Sequence, residues 1–278
     1  VVSCGGGSCA DTGKAIAFFA EQAEGVPGTS HVDRPIMPHL AIPTTYSGAE
    51  VTPFFGMTDP ATKQKTGAGG PTTAPVAVIY DPRATLDMAP DTSGETAMNA
   101  LAHAVEVVYS PRCTPEAEAI ALAAITRIAH AAPLVVDDGD DLEARTALLS
   151  GAALAGRSLQ NASMGIHHGL AQMIGGRSGI PHGRANAVLL SKVVAFNELA
   201  APEAVGKIGV ALGDPGDAAG AIDRLRERLG LPSGLAQAGV SDDDIAAVAA
   251  AASQNGNVRN NVRQATPDEI QALLESAR

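Results

Sequence analysis

The chain opens with VVSCGGGSCADTGKAIAFFAEQ, residues 1–22: a short apolar run, a triple glycine, and then, from Asp11 to Gln22, apolar residues at helical spacing. A strand that turns sharply into a helix is the building unit of an α/β layer, so this stretch sets the fold class of the first part of the chain. Val1 to Cys4 reads as the end of a buried strand with no methionine and no turn before it, and a segment upstream is expected. Gly5-Gly6-Gly7-Ser8 also has a chemical reading. Without Cβ atoms the turn lets a phosphate approach the backbone, and the helix that follows offers unpaired N–H groups and a favourable dipole. A purely structural turn explains the glycines equally well, because the spacing is not GxGxxG.

Two more strands are expected, Leu40 to Ile42 and Val76 to Tyr80. The first runs into Pro43-Thr44-Thr45-Tyr46-Ser47-Gly48-Ala49-Glu50, a cluster of hydroxyls at a strand's carboxyl end, where open α/β sheets hold their ligands. Thr44 and Thr45 are candidate contacts there and Lys65 has the reach for a ribose or phosphate, although turn residues and a solvated lysine are the plainer readings. Glu24 to Pro38 reads as an irregular insertion, and Lys63 to Pro75 as a turn or hairpin. After Asp81-Pro82 the character changes. Helical segments with capping residues follow: Thr92 to Tyr109, Thr114 to about Ala131, Asp140 or Asp141 through Arg157, Met164 to Ile174, a helix opened by His182, then Glu203 to Leu212, Asp217 to Leu229, Asp242 to Ala252 and Pro267 to Ala277. The expected fold is α/β plus all-α. A partial α/β domain over residues 1–85 precedes a helical domain over residues 86–278.

Composition narrows the partners. Of 278 residues only 3% are aromatic, tryptophan is absent and the net charge is -11, so stacking on bases and attraction to phosphate backbones are both disfavoured. A small-molecule partner is expected, with no nucleic acid. Cys4, Cys9 and Cys113 form no CxxC pair, which fits a reducing, cytoplasmic setting. No membrane span is expected, since the alanine-rich Ile120 to Ala132 is interrupted by Arg127 and His130. The acidic runs Asp137 to Asp141 and Asp242 to Asp244 read as solvated loops and helix starts.

Four distant positions carry the chemistry. Asn99 and His103 project from one face of a helix, His168 lies in a second helix, and His182 opens a third after Pro181. Three imidazoles and a carboxylate would hold a divalent transition metal, but Asn99 offers an uncharged amide. Any one of these histidines alone reads more simply as a core or surface residue. Their order and spacing together do not.

These residues, with GGGS at 5–8, Asp11 and Lys14, IPTTYSGAE at 42–50, YDP at 80–82 and HHGLAQMIGG followed by PHGRANAVLL at 167–190, resemble the iron-containing alcohol dehydrogenase superfamily. Asn99, the His167-His168 doublet and the short hydroxyl loop are similar to its maleylacetate reductase branch. The resemblance implies a Rossmann-like dinucleotide-binding domain, with its first strands absent from this chain, packed on a helical domain with a catalytic cleft between them. It implies NADH- or NADPH-dependent reduction of the carbon–carbon double bond of maleylacetate to 3-oxoadipate, in aromatic-compound catabolism. Gly6, Gly7, Ser8, Thr44, Thr45 and Lys65 become nucleotide contacts, and Asn99, His103, His168 and His182 the catalytic group. Gln172 departs from the family, which commonly has histidine there.

A conjugated double bond explains how a metal becomes dispensable. Hydride addition creates delocalised, enolate-like charge that hydrogen-bond donors stabilise in a water-poor cleft. The histidines would bind the dicarboxylate, one supplying the proton, with Asn99 orienting them. Arg184 and His167 are the candidate substrate contacts, a homodimer is expected, and no metal is expected. Two rivals stand: a metal-dependent alcohol or hydroxy-acid dehydrogenase, and an inactive fragment or oligomerisation scaffold.

Overall fold

The structure, a computed structural model, describes residues 1–25, 35–58 and 65–278. Five short strands, β1 (Val2–Gly5), β2 (Leu40–Pro43), β3 (Phe54–Thr58), β4 (Lys65–Gly69) and β5 (Ala77–Val78), accompany the first helix, α1 (Gly7–Ala23). β2 lies between β1 and β5, parallel to both, with Val2 opposite Leu40 and Gly5 opposite Pro43. That register brings the carboxyl ends of β1 and β2 together, so the glycine turn and the hydroxyl loop leave the same edge. β3 and β4 pair antiparallel, Phe54 opposite Gly69; only β4 falls within residues 63–75, where a turn or hairpin is expected, and its partner β3 lies before that stretch. It packs on α1 through edge-on contacts of Phe55 with Phe18 and Phe19. The central part of the expected insertion, residues 26–34, lies outside the described residues.

Eleven helices follow: α2 (Pro90–Val108), α3 (Pro115–Asp137), α4 (Leu142–Ser158), α5 (Ile166–Ser178), α6 (His182–Glu198), α7 (Pro202–Leu212), α8 (Ala218–Arg228), α9 (Leu235–Ala238), α10 (Asp242–Ala252), α11 (Gly256–Arg259) and α12 (Pro267–Ser276). The capping side chains do the expected work. Thr114 accepts from the Ala117 N–H, Asp141 from Glu143 and Ala144, and Thr266 and Glu269 form a reciprocal capping box. Each such cap is worth about 1 kcal/mol. The exception is the end of α3, which continues through Pro133 to Asp137 instead of stopping near Ala131. Proline forfeits one backbone hydrogen bond, but the extra turn buries Val135, and that packing prevails.

α3 is also long and apolar enough to cross a membrane. Its apolar face is used inside the fold: Ala121, Ala124, Ile125 and Ile128 are fully buried in the core built by α2, α3 and α4. The small side chains explain a core with few aromatics. Ala97, Ala100, Ala104, Ala152 and Ala155 line the facing helices, which lets the backbones approach closely. A second apolar cluster joins α5 and α6 to α10 and α12. The histidines lie where the two clusters meet.

Two contacts seat the α/β layer on the helices. Gly48 takes a left-handed φ of 74° and rests on Gly156 of α4; a Cβ on Gly156 would come within 2.7 Å of the Gly48 carbonyl. Tyr46, from the hydroxyl loop, is wholly buried in the helical core, where its hydroxyl accepts from Arg145 at 3.0 Å and donates to Thr85.

Candidate active site

α2 presents Asn99, His103 and Glu106 on one face, and the first turn of α5 brings His167 and His168 against it. The carboxylate of Glu106 caps α5. Its Oε1 accepts the Gly165 and His167 N–H groups at 3.1 and 3.0 Å, while its Oε2 accepts His168 Nδ1–H at 2.7 Å. Buried Glu106 is pushed upward in pKa by desolvation, and His167 with these backbone N–H groups opposes the shift. His167 donates from Nε2 to the Asn186 carbonyl at 3.1 Å, which leaves its Nδ1 as an acceptor 3.4 Å from His168 Nδ1. His168 stacks on His103 at 4.5 Å, and the tilted His182 ring lies 6.0 Å from it. Burial drives the imidazoles toward the neutral form: His103 falls well below the usual range, His167 to about 4 and His168 to about 3. His168 Nε2 and His103 Nδ1 are buried without a hydrogen-bond partner among the described residues.

Asn99 is held from both ends. Its amide nitrogen donates to the Ser47 carbonyl at 3.1 Å, and its oxygen accepts from Asn186 Nδ2 at 2.9 Å. Asn186 also donates to the His182 carbonyl, tying the start of α6 to α2. Thus Asn99, His103, His168 and His182 do converge on one cleft, of about 1770 Å³, and Gln172 lies on the same wall.

The opposite wall is the edge of the small sheet. Gly6 caps α1, and Gly6, Gly7, Ser8 and Thr45 line the cleft. A Cβ on Gly6 would come within 3.0 Å of Thr45 Cγ2, and one on Gly7 within 3.0 Å of Ser47 Oγ, so these glycines keep a gap open between turn and loop. Thr45 Oγ1 is buried without a partner among the described residues. A cradle of this kind, with a helix N-terminus and an unpaired hydroxyl, fits a nucleotide phosphate. Thr44 instead serves the fold, its N–H bonded to the Gly5 carbonyl, and it does not line the cleft. Lys65 begins β4, but its side chain lies outside the described residues. Asp11 and Lys14 brace the cradle. Buried Lys14 donates to the Ala49 carbonyl at 2.9 Å and to Phe54, and Asp11 accepts the Gly56 N–H.

The two expected substrate contacts are placed elsewhere. Arg184 is held by Glu95, Nε to Oε1 at 2.6 Å, and is not part of the cleft wall. His167 is wholly buried, with its ring nitrogens engaged behind His168. Among the described residues Arg177, at the end of α5, is the Lys or Arg that lines the cleft; it pairs with Asp244 at 2.9 Å and stays half exposed. Three participants therefore escaped the sequence reading: Glu106, Asn186 and Arg177. The first two had a signal, since residues 99, 103 and 106 share one helix face, as do 182 and 186.

A metal in the cleft would meet imidazoles and an amide. The nitrogens facing the cleft belong to His103, His168 and His182, and the carboxylate on His168 Nδ1 is the outer partner that metal-ligating imidazoles commonly have. The charged fourth ligand is missing, because Asn99 brings an amide oxygen already engaged by Asn186. Glu106, His167 and His168 also place donor atoms within 4.8 Å of one another. Those atoms are engaged in hydrogen bonds with each other and with the backbone.

The edge of the parallel sheet, with its glycine turn, thus faces buried neutral imidazoles across the cleft. The chain belongs to the iron-containing alcohol dehydrogenase family: residues 1–82 match Iron-containing alcohol dehydrogenase, and residues 93–278 match Fe-containing alcohol dehydrogenase family, C-terminal. It is 41% identical over 216 residues to maleylacetate reductase 2 of Cupriavidus pinatubonensis, covering 78% of this chain and 55% of that protein. It is 32% identical to the NAD-dependent methanol dehydrogenase of Bacillus methanolicus, covering 100% of this chain and 76% of that one. The crystal structure of maleylacetate reductase from Rhizobium sp. strain MTP-10005 superposes with a TM-score of 0.87 at 35% identity, over 100% of this chain and 73% of that one.

Proposed function

We propose that the protein reduces the carbon–carbon double bond of maleylacetate to 3-oxoadipate, using NADH or NADPH and no resident metal. One observation carries the reading. Where the family name calls for a metal, Asn99 supplies a neutral amide whose oxygen is bonded to Asn186, beneath imidazoles that burial keeps uncharged. Such a site suits a substrate that needs no Lewis acid, and relatives named maleylacetate reductase support the choice.

Gly6, Gly7 and Thr45 would hold the nucleotide, which would supply a hydride. Delivered to the alkene carbon that lies β to the ketone, it leaves an enolate, which then takes a proton at the adjacent carbon. The residues do the rest. Arg177 pairs with a substrate carboxylate at the mouth of the cleft, a charge-assisted contact of the strong kind. The imidazoles of His103, His168 and His182 surround the developing charge, and the buried cleft strengthens each interaction by excluding water. Asn99 holds the hydroxyl loop and α6 in register through Ser47 and Asn186.

The rival alcohol dehydrogenase reading rests on the methanol dehydrogenase relative. Oxidation of NADH or NADPH by the complete protein, followed by absorbance with maleylacetate and in reverse with primary alcohols, decides between them. Fast turnover of maleylacetate and negligible alcohol oxidation are expected. Robust, metal-dependent alcohol oxidation without maleylacetate reduction refutes the proposal.

A further inference from the structure

We infer that Glu106 is a positioning residue that fixes His168 as the proton donor of the reaction, a step that rests on the reductase reading above. The hydrogen-bond network dictates the tautomers. A carbonyl oxygen only accepts, so the 3.1 Å contact of His167 Nε2 with the Asn186 carbonyl puts the His167 proton on Nε2 and leaves Nδ1 a lone pair. That lone pair is 3.4 Å from His168 Nδ1, which must carry a proton to face it. Glu106 makes the same demand more strongly. Its Oε1 already accepts two backbone N–H groups at the start of α5, which favour the carboxylate against the upward push of burial, and its Oε2 accepts His168 Nδ1–H at 2.7 Å.

With Nδ1 committed, only Nε2 of His168 exchanges a proton with the cleft. This atom is buried without a partner among the described residues, and the ring that carries it lines the cavity. In the resting site Nε2 holds a lone pair. Entry of the substrate dianion brings negative charge beside it, and Nε2 takes up one proton from solvent, the imidazolium being balanced by Glu106 behind it. Hydride reaches the β carbon, the electron pair of the double bond passes to the enolate, and the Nε2 proton moves to the α carbon. His168 returns to its neutral Nδ1–H tautomer. One hydride and one proton are consumed, and Glu106 remains a carboxylate throughout.

His103 has no such carboxylate: its Nδ1 is buried without a partner among the described residues. Glu106 lies three residues after His103 on α2, yet its side chain serves His168 on α5.

Two measurements on the complete protein test the assignment. The first is the ¹⁵N spectrum of the wild-type histidines at neutral pH, with His168 assigned by its loss in His168→Gln; an Nδ1–H tautomer is expected, and an Nε2–H tautomer overturns the proposal. The second is Glu106→Gln. Its amide oxygen still accepts from Gly165 and His167, while its NH₂ faces His168 Nδ1 and forces the proton onto Nε2. A fall in kcat of about 100-fold, with nucleotide affinity unchanged, is expected for loss of such an orienting partner. In a His168→Ala background the same change should cost nothing more, because Glu106 acts through His168. A full additional loss in that background makes Glu106 a structural cap and overturns the proposal. Should Glu106→Gln fail to fold by circular dichroism, the wild-type tautomer alone decides. A wild type inactive on maleylacetate overturns the proposed function, whereas the tautomer result stands separately from it.

Discussion

Replacing Asn99 by Asp reinstates the charged ligand, and its two consequences can be sized from the contacts. Asn99 is 7% exposed, and its Nδ2 donates to the Ser47 carbonyl at 3.1 Å. In Asn99→Asp that donor becomes an oxygen facing an oxygen, whereas the bond accepted from Asn186 survives. An orphaned buried carbonyl costs about 1–3 kcal/mol, and the buried carboxylate adds desolvation that no neighbouring cation repays. A total near 3 kcal/mol lowers Tm by roughly 6–12 °C, taking about 2–4 °C per kcal/mol for a chain of this size. A divalent ion reverses the sign of the effect. With a carboxylate added to His103, His168 and His182, a metal at about 100 times its Kd returns about 2.7 kcal/mol, nearly cancelling the loss. The assay is thermal denaturation of wild type and variant in chelator, then across a zinc or ferrous titration. The variant should melt low in chelator and recover with metal, while the wild type is indifferent to both. Maleylacetate turnover should fall, because a carboxylate beside the enolate opposes its charge. A wild type that gains as much from metal as the variant, or a variant that melts normally in chelator, refutes the account of Asn99.

Other expectations follow from the same contacts. Gly7→Val places a side chain 3.0 Å from Ser47 Oγ, in the gap where the phosphate would enter, so nucleotide affinity should fall by about tenfold or more in a folded protein; unchanged affinity by fluorescence titration removes the turn from the site. Arg177→Met should raise KM for maleylacetate by about 10–100-fold through loss of a charge-assisted bond, while Arg184→Met, which breaks only the Glu95 pair, should chiefly lower stability. The reverse order of effects on KM would return the carboxylate contact to Arg184. Acid sensitivity tests the neutral imidazoles. With His167 near 4 and His168 near 3 in the folded state, the unfolded chain binds protons first as pH drops below the ordinary value of about 6.5. Their stability contribution is therefore complete above about pH 6.5 and is lost on acidification toward pH 4, at about 1.4 kcal/mol per pH unit per histidine. Urea denaturation at pH 7 and pH 5 should show this, and His167→Gln should lessen the slope; equal stability at both pH values in the wild type contradicts a neutral cluster.

What the sequence made legible was local. A triple glycine between an apolar run and a helical pattern could hardly be anything but a strand–turn–helix, and local signals marked Thr114, Asp140 or Asp141, and Pro267 as helix starts. Shared faces were legible too: Asn99 and His103 point together because they are four apart on α2. The same rule extended by three residues reaches Glu106, which in isolation looks like any helix acid. What spacing cannot reveal is the partner across the interface. Arg177 and Arg184 are equally plausible anion anchors in a string, yet one lines the cleft and the other answers Glu95, from a helix 89 positions away. Pro133 likewise ends a helix by any local rule, and burial of Val135 overrides it. The amide at residue 99 shows how the two levels combine. Sequence shows the missing charge, but the structure shows that the Ser47 carbonyl and the Asn186 amide accept and donate to that side chain at once, which only an amide satisfies. The departure from a carboxylate is thus built into three segments of the fold, and an aspartate restored at residue 99 alone would still meet the carbonyl of Ser47.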